Sequence, residues 1–228
     1  MPHSCDKQHE ASVQKEKRRF HFVVRSSRDG DEEQSFQRDL LHMNSKPFLS
    51  TIEPADYLQS ATIFAVELKD DGVVPNNARL PLLVYQAALK LPIQDGASVI
   101  EQLLETNKWG SAWRDGIYPY HHYHSTAHEI LAVFGGSATV QLGGERGILQ
   151  KLNVGDVIII PAGVAHKRLE ESFDFGVVGA YPEGQDWDIC YAKAEERPKA
   201  DRNIASVPLP QADPIYGITG PLMERWSH

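Results

Sequence analysis

From residue 116 onward the chain alternates short apolar runs with small clusters of turn residues: HEILAVF then GG, SATVQL then GG, ILQKL then NVGD, VIII then PAG, and FDFGVVGAYP. Runs of this length at such regular spacing, each closed by glycine or proline, predict the strands of an antiparallel sandwich or barrel. VIII is apolar at every position, as expected of a strand covered on both faces. Upstream, LPLLVYQAAL at 80–89 is apolar and bounded by prolines, and reads as another buried strand. DGASVIEQLLETNKW at 95–109 follows a different period. Val99, Leu103 and Leu104 fall on one face and Glu101 and Glu105 on another, which predicts a helix on the outside of the domain, with Asp95 and Ser98 as candidate caps.

Before residue 79 the pattern loses its period. FHFVV at 20–24 is strand-like, SSRDGDEEQS at 26–35 is acidic and rich in turn residues, and KDDGVVPNNARLP supplies breakers that mark a loop before the first strand of the barrel. The expected organisation is a partly flexible N-terminal arm at 1–78, a β domain at 79–195, and a tail at 196–228. Prolines keep that tail extended, packed along the domain or across a partner subunit.

Composition narrows the class. Hydrophobic residues make up 41% and charged residues 24%, close to globular averages, so a chain of 228 residues buries a full core without disulfides. A net charge of -8 disfavours nucleic acid and anionic membranes as partners. The two cysteines, Cys5 and Cys190, lack metal or redox spacing and read as free thiols. No apolar run approaches a membrane span, and the first twenty residues carry charges of both signs with no apolar signal region, so the cytoplasm is the expected compartment.

The chemistry concentrates in HHYHSTAHEI at 121–130. Side chains alternate along a strand, so His122 and His124 share a face while His121 and Tyr123 share the other. Glu129 opens the next strand and falls within reach of that pair. GDVIIIPAGVAH places His166 after a turn that returns a third imidazole to the same interior. Three imidazoles and a carboxylate suit Fe, Mn, Ni, Cu or Zn and leave coordination positions open on an octahedral ion, with iron the first choice. Tyr120 has the parity of His122 and is a candidate pocket residue, although an aromatic in a barrel core more often packs, and Tyr181 has the same two readings. His128, facing away from Glu129, is expected to orient a neighbour or lie at the surface. Trp109, Trp113, Trp187 and Trp226 read as packing residues.

Gly116, His122, His124, Glu129 and Gly136 have the spacing G-x5-H-x-H-x4-E-x6-G, which resembles the first cupin motif. Gly155, Pro161, Gly163 and His166 resemble the second, with Glu170 where the family has asparagine. The flanking stretches WGSAWRDGIY, VVGAYPEGQDWD and DPIYGITGPL are similar to the small stand-alone cupins of the YjlB-like group. This resemblance implies an all-β, single cupin (double-stranded β-helix or jelly-roll) barrel with a few peripheral helices, and a divalent transition metal held by His122, His124, Glu129 and His166. Cupins resembling this group serve fungal polyketide pathways as oxidoreductases. The functional expectation is therefore a metal-dependent oxidoreductase of secondary-metabolite biosynthesis, a homodimer acting on a small, aromatic or polyketide-derived molecule. The alternatives are a non-redox isomerase or cyclase and a non-catalytic cupin that binds a small ligand.

Overall fold

A computed structural model describes residues 53–227; the FHFVV run and Cys5 lie outside them. Among the described residues the strands are β1 (Thr62–Leu68), β2 (Asn77–Gln86), β3 (Trp109–Asp115), β4 (Glu129–Gly135), β5 (Ser137–Leu142), β6 (Ile148–Asn153), β7 (Val157–Ile160), β8 (His166–Glu171) and β9 (Gly176–Pro182). The helices are α1 (Gly96–Thr106), α2 (Lys199–Ser206) and α3 (Pro221–Arg225). One sheet has six strands in the order β1-β2-β7-β4-β9-β3, and the other has three in the order β6-β5-β8. Every strand pairing is antiparallel.

Alternation along the central strands builds two apolar layers. Leu131 and Val133 of β4, Ile158 and Ile160 of β7, and Leu82 and Val84 of β2 face Val140, Leu142 and Leu152 of the smaller sheet. Their neighbours Ile130, Ala132, Ile159 and Leu83 point the other way, into a layer closed by Ile100 and Leu104 of α1 and by Ile215, Leu222 and Trp226 of the tail. VIII is thus buried on both faces, as its composition requires. Close packing fixes some small positions: a Cβ at Gly179 would lie 2.2 Å from the Trp113 ring, which crosses over β9 there.

The strand predictions from residue 129 to 182 and the amphipathic helix hold, while several details differ. The segment between 51 and 78, expected to be irregular, contains β1, whose residues pair with β2 from Thr62↔Gln86 to Leu68↔Asn77. That strand is an edge, its residues mostly exposed or half-buried, so it lacks the apolar pattern that marks the central strands. Pro81 has no amide to donate, and β1 and β2 slip in register near it, between Val66 and Leu68. The helix ends at Thr106, and Trp109 starts β3 instead of closing α1. Asp95 is the N-cap, as expected, but it accepts the amides of Ser98 (3.1 Å) and Val99 (3.4 Å) through its carbonyl and not its side chain, while the Ser98 hydroxyl donates to the Asp95 carboxylate at 2.5 Å and accepts from Arg114 at 2.9 Å. The tail, expected to be extended, carries α2 and α3.

The end of that tail is pinned by one buried carboxylate. Asp213 is fully buried and accepts four hydrogen bonds, from the amides of Ile215 (2.8 Å), Tyr216 (2.9 Å) and Leu222 (3.0 Å) and from the Tyr85 hydroxyl (2.6 Å). Burial, followed by the Asp213 charge, pushes the Tyr85 phenol well above its usual pKa, so it remains a donor. The indole of Trp109 binds the carbonyl of Ala212 at 3.0 Å, and that of Trp226 binds the carbonyl of Pro81 at 2.9 Å. Asp213→Ala strands the Tyr85 hydroxyl and the amides of Ile215, Tyr216 and Leu222 and is expected to lower unfolding free energy by about 3 kcal/mol in urea titrations. A change below about 1 kcal/mol would show that the tail does not depend on this carboxylate.

Candidate metal centre

Strand alternation and one tight turn carry the reactive side chains to a single point. His122 and His124 are two apart in extended chain just before β4, so their rings leave the same face. An antiparallel bridge ties this segment to the start of β8: the His122 amide donates to the carbonyl of His166 at 3.2 Å, and the His166 amide returns to His122 at 2.9 Å. His166 is delivered by the turn at 161–163. Gly163 has a φ of +92°, and a Cβ there would sit 2.4 Å from the Asn76 carbonyl oxygen, so only glycine turns the chain in that space.

The three imidazoles are buried, and one ring nitrogen of each lies within 4.8 Å of the others. Glu129, the first residue of β4, points its carboxylate to the same place: Oε1 is 3.5 Å from Nε2 of His124 and Oε2 is 3.2 Å from Nε2 of His166. The Tyr181 hydroxyl of β9 donates to Oε1 at 3.1 Å. All four residues singled out as a ligand set are thus brought together.

Electrostatics divide the imidazoles. Burial pushes the Glu129 pKa upward, but His124 and His166 outweigh it, holding the carboxyl well below the usual carboxylate range. Burial pushes the His124 pKa down, yet the charge and hydrogen bonding of Glu129 and the Asp188 carbonyl raise it to about 9. At His122 burial and then the neighbouring His166 and His124 keep the ring neutral, well below the usual range. The cluster therefore favours positive charge next to Glu129 while retaining a neutral lone-pair donor. Glu129 Oε2 still makes no hydrogen bond of good geometry. A buried anion with an unsatisfied oxygen, beside convergent imidazoles, is a donor set that a divalent transition ion fits.

Other singled-out residues take varied places. Tyr120 lies at the rim, 42% exposed, stacked on Tyr118 at 4.9 Å and edge-on to His122 at 6.0 Å. His121 turns away toward Glu145, 3.2 Å distant. Trp109 and Trp226 are core residues, and Cys190 is buried and outside any disulfide, its thiol 3.7 Å from the Asp188 carboxylate. His128 is neither surface nor an orienting partner of the cluster, because alternation turns it into the outer layer that the tail covers. It is 1% exposed, with Nδ1 accepting the Ala162 amide at 3.0 Å and its ring 4.8 Å from that of Trp226. Glu170, the departure from the second motif, lies in β8 where its register against β5 shifts.

Sequence reasoning missed Trp187 and Asp188. The Trp187 ring stacks on Tyr181 at 5.6 Å and meets His124 edge-on at 5.8 Å, so its packing role is played out at the site. The Asp188 carbonyl accepts a short hydrogen bond from Nδ1 of His124. GQDWDIC has neither period nor ligand spacing to reveal this, since a backbone carbonyl can belong to any residue.

With a two-sheet barrel and inward histidines in place, the family follows: the Cupin family pattern matches residues 114–168, and the chain belongs to the cupin superfamily. It is a homologue of the YjlB protein of Bacillus subtilis (strain 168), 43% identical over 157 residues that cover 69% of this chain and 92% of YjlB. Among solved structures, the 11S allergen of Cocos nucifera L. is 22% identical over 35% of this chain, with a TM-score of 0.29. The chain spans only 24% of that protein's length. The epimerase RmlC of Legionella pneumophila Philadelphia 1 is 14% identical over 54% of this chain and 72% of its own, with a TM-score of 0.30. Likenesses this slight carry no argument about chemistry. No helix among the described residues is long and apolar enough to cross a membrane.

His128 gives the acid side of stability a definite sign. Burial pushes its pKa from 6.5 down to about 3. Between those values the unfolded chain binds a proton that the folded protein refuses, so this contribution is complete above pH 6.5 and is lost as pH falls toward 3. From about pH 7.5 to 5 the loss is about 2 kcal/mol. His128→Asn keeps an acceptor for Ala162 but does not titrate, so its urea-derived stability should lack that part of the decline. Parallel wild-type and variant curves would contradict the assignment.

Proposed function

We propose that this cupin is a metal-dependent oxidoreductase acting on a small organic molecule inside the barrel, with aromatic or polyketide-derived compounds of secondary metabolism as the substrate class. The observation that carries the reading is the convergence of three buried imidazoles on a buried, ionised Glu129. His122, His124, Glu129 and His166 would hold the ion, iron first on the strength of mixed imidazole and carboxylate donors, with Mn, Ni, Cu or Zn as alternatives. A bound ion of this kind supplies Lewis acidity and, if redox-active, electron transfer.

The chain's own groups have definite parts. Tyr181, donating to Glu129 at 3.1 Å, holds a proton inside the site where an oxygen of a bound molecule can exchange with it. Leu131, Val133 and Ile160, on the inward face of the strands that carry Glu129 and its neighbours, keep water from the interior. Tyr118 and Tyr120 offer ring faces beside His122.

The purified protein is expected to carry about one transition-metal ion per chain by elemental analysis. Dioxygen uptake in the presence of a panel of hydroxylated aromatic aldehydes and alcohols should stop on chelation and return with ferrous iron. His122→Ala combined with His124→Ala should remove both metal and uptake. Turnover that survives chelation and the double substitution would refute a metal-dependent enzyme. Metal-dependent turnover without dioxygen would turn the reading to an isomerase or cyclase.

A further inference from the structure

The three histidines are held very differently. Nδ1 of His124 makes its short hydrogen bond to the Asp188 carbonyl, whereas Nδ1 of His122 is 3.4 Å from the carbonyl of Tyr120, and Nδ1 of His166 has no partner among the described residues. A carbonyl only accepts, so Nδ1 of His124 keeps its proton, and Nε2, the nitrogen 3.5 Å from Glu129, is the one that gives up a proton and offers its lone pair to an ion. One of the rings is thus oriented by the protein before any ion arrives.

The carbonyl that does this sits on a clamped strap. Residues 185–190 run antiparallel to 123–128. Tyr123 and Cys190 exchange both backbone hydrogen bonds at 2.9 Å. The carboxylate of Asp188 accepts the amide and the hydroxyl of Ser125, each at 2.6 Å. The Asp186 carbonyl accepts the Thr126 hydroxyl at 2.8 Å, and the Gln185 side-chain carbonyl accepts the His128 amide at 2.9 Å. Ser125 is 1% exposed and receives a further bond from Asn203 of α2 at 2.9 Å. Asp188 therefore holds His124 twice: its carbonyl takes the ring proton, and its carboxylate grips the next residue of the same segment.

We propose that Asp188 is the positioning residue of the metal centre: by closing the His124–Ser125–Asp188 ring of hydrogen bonds, it fixes the tautomer and direction of His124 as a ligand. This rests on the metal-binding reading of the site. Its effect falls on ion affinity and ligand geometry. A hydrogen-bond partner that orients a ligating imidazole typically changes metal affinity by roughly 10–100-fold.

Cobalt(II) is the probe, because its visible ligand-field bands report geometry and a chromophoric chelator reports affinity by competition. The wild-type chain should bind it with a distinct visible spectrum. Asp188→Ala should bind roughly 10–100-fold more weakly with shifted bands, and Asp188→Asn, which keeps an acceptor for the Ser125 amide and a partner for its hydroxyl, should recover most of the loss. If Asp188→Ala does not fold, Ser125→Ala decides, since it keeps the Ser125 amide bond and the Asp188 carbonyl and removes the hydroxyl with its bonds to Asp188 and Asn203. Asn203→Ala, which leaves the Asp188 arm intact, is its control: an affinity several-fold weaker in Ser125→Ala than in Asn203→Ala supports the clamp and an equal one overturns it. Equal affinity and spectra in wild type and a folded Asp188→Ala would overturn the positioning role alone. Asparagine as weak as alanine would overturn the geometric account in favour of charge. A wild-type chain that does not take up cobalt(II) would bring down the metal reading itself.

Discussion

Glu129 carries a negative charge at 2% exposure, on a strand whose next inward residues are Leu131 and Val133. An ionised carboxylate in such surroundings needs positive charge and hydrogen-bond donors within reach, or it reverts to the neutral form. His124, His166 and Tyr181 meet that need from separate parts of the chain. Much of the architecture serves to keep those groups together. The bridge between His122 and His166 sets one side, the glycine turn at 163 aims the other, and pairing of Ile130 with Ala180 places the next residue, Tyr181, beside Glu129.

Support for this arrangement comes from both faces of the large sheet. The inward layer excludes water, which strengthens each electrostatic contact in the cluster. The outward layer, closed by α1 and by a tail fastened through Asp213, holds β4, β7 and β9 from behind. His128 belongs to this second layer, and Glu129, one residue later, belongs to the first. The same alternation that separates them lets one strand bear a structural histidine and a site carboxylate side by side.

Much of the site is legible in the sequence because it depends on local geometry. Parity separates His122 and His124 from His121, spacing brings in Glu129, and the proline and glycine before His166 announce a reversal. The central strands are legible for the same reason, being apolar runs between glycines. What escapes depends on long-range contacts. β1 and β3 gain their pairing at sheet edges and carry few fully buried residues, so no apolar period announces them. The burial of His128 requires Trp226, nearly a hundred residues away, and the strap at 185–190 acts on His124 through a backbone carbonyl. Parity turned His128 in the right direction, but covering that face was the tail's work.

The account turns on one ion shared by ligands that begin far apart in the chain. Anomalous X-ray diffraction, recorded from crystals of the metal-loaded protein on either side of the metal's absorption edge, tests this most directly. The account predicts a single strong anomalous peak inside the barrel, at coordination distance from His122, His124 and His166 and next to the Glu129 carboxylate. No peak there, or a peak held only by surface residues, would contradict it.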